Sequence, residues 1–112
     1  MSSINWFEKY AEIFDLIEDC MINLDLWSVH KPSEQALAST MPFAVDTLSL
    51  EQWLQFIFLP RMREMLDNEQ LPPGPAQIAP IAEEVFKKDD DKHELIKLMK
   101  KFDEISHVSH LH

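Results

Sequence analysis

The stretch SLEQWLQFIFLP, residues 49–60, constrains the fold of this chain more than any other segment. Its apolar side chains point in all directions around a helix, and a helix that is apolar all round is buried on most sides. Ser49 predicts the N-cap, because Gln52 three residues later can complete a capping box. We therefore predict a central helix from Ser49 to about Asn68, with Trp53 deeply buried in the core.

Pro60 falls inside this predicted helix. It removes one backbone donor and clashes with the carbonyl of Phe56, which costs about 3 kcal/mol unless the helix bends. We predict a kink that changes the direction of the segment carrying Arg61 and Arg63. Two interpretations of the kink remain open at this point. Either it fits the helix around its neighbours, or it shapes a groove at the freed carbonyl.

Three other segments have the apolar spacing of amphipathic helices. The first begins near Ser2 or Ser3 and reaches about Leu24, and the others span roughly residues 76–88 and 92–107. On the first of these helices an acidic face lies opposite the apolar stripe, formed by Glu8, Glu12, Asp15 and Asp19. This face is either solvated surface or a docking surface.

These helices predict an all-α fold, a compact four-helix bundle in which residues 1–112 form a single domain. Residues 25–48 form a long loop between the first and second helices, with at most a short helical turn. Residues 108–112 are expected to fray. The chain has a single glycine, and turn-rich β architectures need more of them, so composition also favours helices.

Charge and cysteine usage restrict the partners and the compartment. The formal net charge is −10, and residues 1–60 hold nine acidic but only two basic side chains. Such a surface repels phosphate backbones, so we expect no direct binding of nucleic acid and consider a basic protein partner more compatible. Cys20 is the single cysteine, which fits a reducing cytoplasm. We find neither a signal peptide nor a segment that could span a membrane.

No motif in the sequence predicts catalysis or metal binding. Three of the five histidines lie in the last six residues, and no metal-binding or ferritin-like pattern is present. Cys20 lies on the apolar stripe of the first helix, where a thiol behaves as a small hydrophobic group. We therefore expect no catalytic residue, no cofactor and no metal.

Residues 39–72 resemble the core motif of the YqcC-like family of small bacterial proteins. The matching positions are Pro42-Phe43, Asp46-Thr47, Trp53-Leu54-Gln55, Leu59-Pro60-Arg61-Met62, Asp67 and Leu71-Pro72. Trp27 upstream also fits the family pattern, whereas Met41 stands where the family usually has Gln. The resemblance implies a helical, cytoplasmic protein without established enzymatic residues. Members of this family are commonly encoded beside a TruC-type tRNA pseudouridine synthase, which implies an accessory role for this chain.

We interpret the chain as a non-catalytic helical protein-interaction module, with a tRNA pseudouridine synthase as the implied partner. The residues expected to contact the partner are Pro42, Phe43, Asp46, Thr47, Gln55, Arg61 and Arg63. Arg61 could instead bind Asp46 or Asp67 within the domain. The alternative function is the binding of a small apolar ligand or peptide in an inter-helix pocket near Trp53 and Pro60. A close-packed core there would argue against the alternative.

Overall fold

A computed structural model describes residues 5–110, without the side chain of His110, and every regular element in this range is helical. The α-helices are α1 (Trp6–Asn23), α2 (Glu34–Leu37), α3 (Leu50–Trp53), α4 (Leu59–Asp67), α5 (Ala79–Val85) and α6 (His93–His110). A π-helical turn, Leu54–Phe58, joins α3 to α4 into one continuous rod, and short 3-10 turns cover Pro42–Ala44 and Asp90–Lys92. The all-α prediction is confirmed, with the rod as the second long helix of the bundle.

Helix α1 has a well-defined start. The side chain of Asn5 accepts a hydrogen bond from the backbone N–H of Glu8 at 3.2 Å, which satisfies one of the unpaired donors of the first turn. The predicted start at Ser2 or Ser3 lies outside the described residues. Within the described range the helix begins at Trp6, because Asn5 has extended backbone angles.

The core is built mainly around α1 and α6. The α1 side chains at the helical spacing of three and four are buried, and α6 contributes a matching set. The buried apolar residues of the two helices are Tyr10, Ile13, Phe14, Ile17, Met21, Leu95, Met99 and Phe102. The helices run antiparallel, since Tyr10 bonds to Ser109 while Cys20 and Leu98 line one groove. The pair formed by α1 and α6 is therefore the centre of the bundle.

The rod formed by α3, the π-helical turn and α4 is less buried than predicted. Leu54, Phe58 and Leu59 are buried, whereas Trp53 is only partly buried and packs between Phe43 and Phe58. The prediction that Trp53 is deeply buried at the centre is wrong. The reason is that Leu54, Phe58 and Leu59 face the core, while Trp53 lies toward Phe43 of the loop at the edge of the core.

Pro60 perturbs the rod through a change of hydrogen-bond pattern. Immediately before it, the N–H of Leu59 bonds to the carbonyl of Leu54, five residues back, rather than to a carbonyl four residues back. A proline has no N–H to offer, so the carbonyl of Phe56 cannot receive its α-helical bond. A π-helical turn is a recognised local site of helix bending. The perturbation predicted at Pro60 therefore takes the form of a wider turn at 54–58.

Helix α5 is held to α6 by polar contacts. The carboxylate of Asp103 accepts hydrogen bonds from the N–H groups of Ile78 at 3.0 Å and Ala79 at 2.8 Å. Ser106, fully buried, accepts a bond from the N–H of Ala76 at 2.8 Å. A carboxylate from a neighbouring helix thus caps the start of α5, where no local side chain does so.

Helix α6 continues to His110, three residues beyond the predicted end at His107. The hydroxyl of Ser109 lies 2.6 Å from that of Tyr10, which ties the last turn to α1. Residues 108–110 are therefore helical, while the rest of the segment predicted to fray lies outside the described residues. Among the helices described, none combines the length and apolarity needed to cross a bilayer.

Candidate functional site

The segment 42–47 gathers four of the predicted partner-binding residues into one turn. Pro42 begins the 3-10 turn and is exposed, whereas Phe43 is partly buried with its ring centroid 4.8 Å from that of Trp53. Phe43 and Ala44 both have left-handed backbone angles, with φ of 58° and 49°. Two consecutive non-glycine residues in that region are uncommon and indicate local strain. Packing of Phe43 on Trp53 and burial of Ala44 accompany this strained conformation.

Asp46 and Thr47 use their side chains inside the loop. The hydroxyl of Ser39 donates to the carboxylate of Asp46 at 2.5 Å. The hydroxyl of Thr47 donates to the carbonyl of Ala36 at 2.7 Å, which connects the turn to α2. Both side chains remain exposed at the surface. They stabilise the shape of the turn and leave Pro42 at its outer edge.

Gln55 is buried inside the π-helical turn and pairs with the backbone of Ser28. Its Oε1 accepts from the N–H of Ser28 at 2.8 Å, and its Nε2 donates to the carbonyl of Ser28 at 2.8 Å. The amide therefore satisfies both backbone groups of one loop residue, as a buried polar side chain must. Gln55 fixes the start of the long loop against the rod.

Arg61 and Arg63 have different environments although they lie on the same turn of α4. The guanidinium of Arg63 contacts Glu18 at 2.7 Å and Asp15 at 2.9 Å, so it pairs α4 with the acidic side of α1. Arg61 is exposed and forms no ion pair with any residue of the described range. The expected internal pairing of Arg61 with Asp46 or Asp67 is therefore absent there.

A groove between α1 and α4 was not predicted from the sequence. Its volume is about 440 Å³, and it is lined by Phe7, Glu8, Ala11, Asp15, Arg63, Leu66 and Asp67. Phe7 is a large apolar residue of α1, but 40% of the residue is exposed. The available signal was that Phe7 and Ala11 stand beside the acidic residues, one helical turn apart. The groove thus combines apolar surface with three carboxylates.

The alternative site near Trp53 and Pro60 finds no support from the larger grooves. Besides the α1/α4 groove, one of about 370 Å³ includes Leu16, Cys20 and Leu98, and one of about 330 Å³ lies between α5 and α6. None of these three includes Trp53, Phe56 or Pro60 in its lining. Trp53 instead fills the space between two phenylalanine rings.

Reactive and metal-binding groups are sparse in the part of the chain that the structure describes. Among the side chains of residues 5–109, no three of His, Cys, Asp or Glu are grouped to hold a metal ion. Burial raises the pKa of the Cys20 thiol, and the charge of Glu94 raises it further. Both effects disfavour the thiolate, which is the nucleophilic form. Burial also raises the pKa of Asp103, against the opposing effect of its two backbone hydrogen bonds.

Comparison with known proteins places the chain in a family. The model of the DUF446 family, described as "tRNA pseudouridine synthase C", matches residues 9–105. The chain belongs to the DUF446 family. An uncharacterized protein of Haemophilus influenzae is 37% identical over 76 residues, which cover 68% of this chain and 72% of that protein. The uncharacterized protein YqcC of Escherichia coli is 37% identical over 70 residues, 62% of this chain and 64% of YqcC. The YqcC-like resemblance is therefore confirmed.

Two further similarities of this DUF446 chain concern a larger protein and a solved structure. A protein of Pectobacterium carotovorum named tRNA pseudouridine synthase C is 47% identical over 57 residues, which are 51% of this chain but 15% of that protein. The solution NMR structure of Escherichia coli YqcC superposes with a TM-score of 0.79 at 27% identity, covering 91% of this chain and 88% of that one. The helical architecture is thus shared with a solved relative.

Proposed function

We propose that this DUF446 chain is a non-catalytic protein-interaction module that acts as an accessory to a TruC-type tRNA pseudouridine synthase. The observation that carries the proposal is the 57-residue match to a segment of the Pectobacterium synthase, at 47% identity and 15% of its length. A segment like this one, joined covalently to a synthase, would act at high effective concentration. A separate chain with the same surface would have to bind the enzyme to obtain the same effect.

The electrostatics of the chain support a protein partner over direct contact with RNA. The net charge is −10, and the α1 carboxylates Glu8, Glu12, Asp15 and Asp19 are all exposed. Binding to the phosphates of RNA requires cationic side chains, and every phosphate contact makes the affinity more dependent on salt. An enzyme that binds tRNA needs a basic surface of its own, so an acidic module can dock beside it with electrostatic acceleration of the encounter.

The seven predicted contact residues enter the proposal in two groups. Four of them, Asp46, Thr47, Gln55 and Arg63, already bind other parts of the chain through their side chains, and Phe43 packs on Trp53. These five shape the surface. Pro42 and Arg61 are exposed, and a partner can reach their side chains without breaking any of these bonds. We assign direct contact to these two residues.

An activity assay tests the proposal. Pseudouridine formation in tRNA would be measured with the chain alone, the synthase alone and the two mixed. We expect no product from the chain alone and a lower KM or higher rate for the mixture than for the synthase. Product formed by the chain alone would contradict the non-catalytic assignment. Identical kinetics with and without the chain would contradict the accessory role.

A further inference from the structure

We propose that the groove between α1 and α4 binds a basic amphipathic helix of a partner protein. This inference rests on the proposed function in one respect, which is that the helix is assigned to the synthase. The apolar floor is formed by Phe7 and Ala11 on α1 and Leu66 on α4. A helix that lies in a groove anchors apolar residues at i, i+3, i+4 and i+7. The groove has a volume of about 440 Å³.

The charges that line the floor select a basic occupant. Glu8 and Asp67 form no ion pair with other described residues, so their charges are available to a ligand. The third carboxylate, Asp15, is paired with Arg63, and Arg63 is also paired with Glu18. The one cation in the lining is therefore already neutralised by two acids. Lysine or arginine side chains beside an apolar helical face would complement Glu8 and Asp67.

The same charges argue against a second copy of this chain as the occupant. Two chains of net charge −10 repel each other, and pairing two α1/α4 grooves would bring Glu8 and Asp67 of both copies together. A basic segment of another protein removes this repulsion. We therefore assign the groove to a basic partner helix and treat self-association as an outcome that the test must detect.

Contacts within the chain itself shape the groove. Arg63 reaches from α4 to Asp15 and Glu18 on α1, and these contacts hold the two helices at a fixed separation at one end of the groove. Leu66 and Asp67 lie one turn further along α4, where they face Phe7, Glu8 and Ala11. A preformed groove loses less conformational entropy on binding than one that must be ordered by its ligand.

A synthetic helix provides the first probe. The probe is a peptide of about 18 residues, long enough for partial helicity, with leucines at helical spacing and lysines elsewhere. A matched peptide replaces each lysine by glutamate. In 15N-labelled protein we expect the lysine peptide to shift the amide resonances of Phe7, Ala11 and Leu66. Shifts confined to the Leu16, Cys20 and Leu98 groove would overturn the proposal, as would equal binding of both peptides.

Matched variants separate groove filling from general effects. Ala11→Trp fills the groove from an exposed position, and Ala38→Trp adds the same side chain at an exposed position elsewhere. We expect Ala11→Trp to raise the Kd for the lysine peptide about tenfold and Ala38→Trp to leave this Kd unchanged. Equal affinities of the two variants would refute the groove as the binding site. Circular dichroism of both variants verifies that they are folded.

Charge reversal tests the carboxylates with a control of identical net charge. Glu8→Lys combined with Asp67→Lys changes the groove, whereas Glu34→Lys combined with Glu104→Lys changes exposed positions outside its lining. Glu8 and Glu34 both lie in the first turn of a helix, so the pairs also match in that respect. A larger loss of peptide affinity for the first pair supports the proposal. Equal losses mean that only net charge matters and overturn it.

Binding to the intact synthase distinguishes failure of this inference from failure of the proposed function. If wild type and Ala11→Trp bind the synthase equally, the groove inference fails and the accessory role stands. If the lysine peptide binds the groove but the synthase does not bind the chain, the accessory role fails and the groove remains a site for a basic helix. Analytical ultracentrifugation that detects a dimer abolished by Ala11→Trp would assign the groove to a second copy and overturn the inference.

Discussion

The side-chain amide of Gln55 forms hydrogen bonds of 2.8 Å to both the backbone N–H and the backbone carbonyl of Ser28. The two residues lie 27 positions apart, one in the π-helical turn of the rod and one in the long loop. The loop is therefore attached to the rod at Ser28 as well as at its two ends. Gln55, a polar residue in an apolar segment, therefore has a structural partner.

Replacing Gln55 by methionine should destabilise the fold by about 1–3 kcal/mol, because the partly buried N–H and carbonyl of Ser28 lose their partners. Methionine keeps the length of the side chain and removes its polar atoms. Chemical denaturation would measure the free energy of unfolding, and hydrogen exchange would report the Ser28 amide. Gln70→Met, at an exposed position, is the control. An unchanged free energy of unfolding for Gln55→Met would show that the two bonds do not hold the loop.

Removing the carboxylate of Asp103 should destabilise α5. Asp103→Ala leaves the N–H groups of Ile78 and Ala79 without acceptors, and both residues are buried. We expect a loss of about 2 kcal/mol in unfolding free energy. The neighbouring substitution Glu104→Ala, at an exposed position, should change stability by less than about 0.5 kcal/mol. Similar losses for the two variants would exclude the capping role.

The pKa of Asp103 predicts the direction of a pH effect. Burial raises this pKa above the ordinary value of 3.8, so between that value and the raised one the folded state binds more protons than the unfolded state. Stability contributed by this group should therefore fall as pH rises through that window and then level off. The difference in unfolding free energy between wild type and Asp103→Asn, measured against pH, isolates the contribution. A difference that grows with rising pH would contradict the raised pKa.

The loss of unfolding free energy on replacing an aromatic residue by alanine should be larger for the more buried residue. Phe14 is fully buried and contacts the rings of Tyr10, Phe58 and Phe102, so Phe14→Ala should cost about 3–5 kcal/mol. Trp53 is only partly buried, and Trp53→Ala should cost less, about 1–3 kcal/mol. Thermal and chemical unfolding of both variants gives the order. A larger loss for Trp53→Ala would restore the rod, rather than α1 with α6, as the centre of the bundle.

Much of the fold follows from local sequence signals. The capping box of Ser49 and Gln52 is present, with the bond from the Ser49 N–H to Gln52 Oε1 at 2.9 Å. The apolar spacings that predicted the helices also identify most of the buried residues of α1 and α6. The partial exposure of Trp53 could not be derived in this way. A helix that is apolar on all sides does not reveal which side its neighbours cover.

The long-range polar contacts were also beyond sequence reasoning. Asp103 caps α5 from another helix, and Arg63 pairs with Asp15 and Glu18 across 48 and 45 positions. Local capping rules find a partner only within a few residues. The α1/α4 groove depends on the same long-range arrangement. The sequence predicts the two helices that line it, but not that these residues of α1 and α4 lie side by side.

Calorimetric titration of the purified tRNA pseudouridine synthase with this chain, in physiological salt, tests the accessory role most directly. Parallel titrations use free tRNA and the synthase already loaded with tRNA. The account predicts a saturable complex with the synthase and no measurable binding to tRNA alone, because the acidic surface repels phosphate. Micromolar binding to tRNA alone would contradict the charge argument. No binding to the synthase, with or without tRNA, would contradict the accessory role itself.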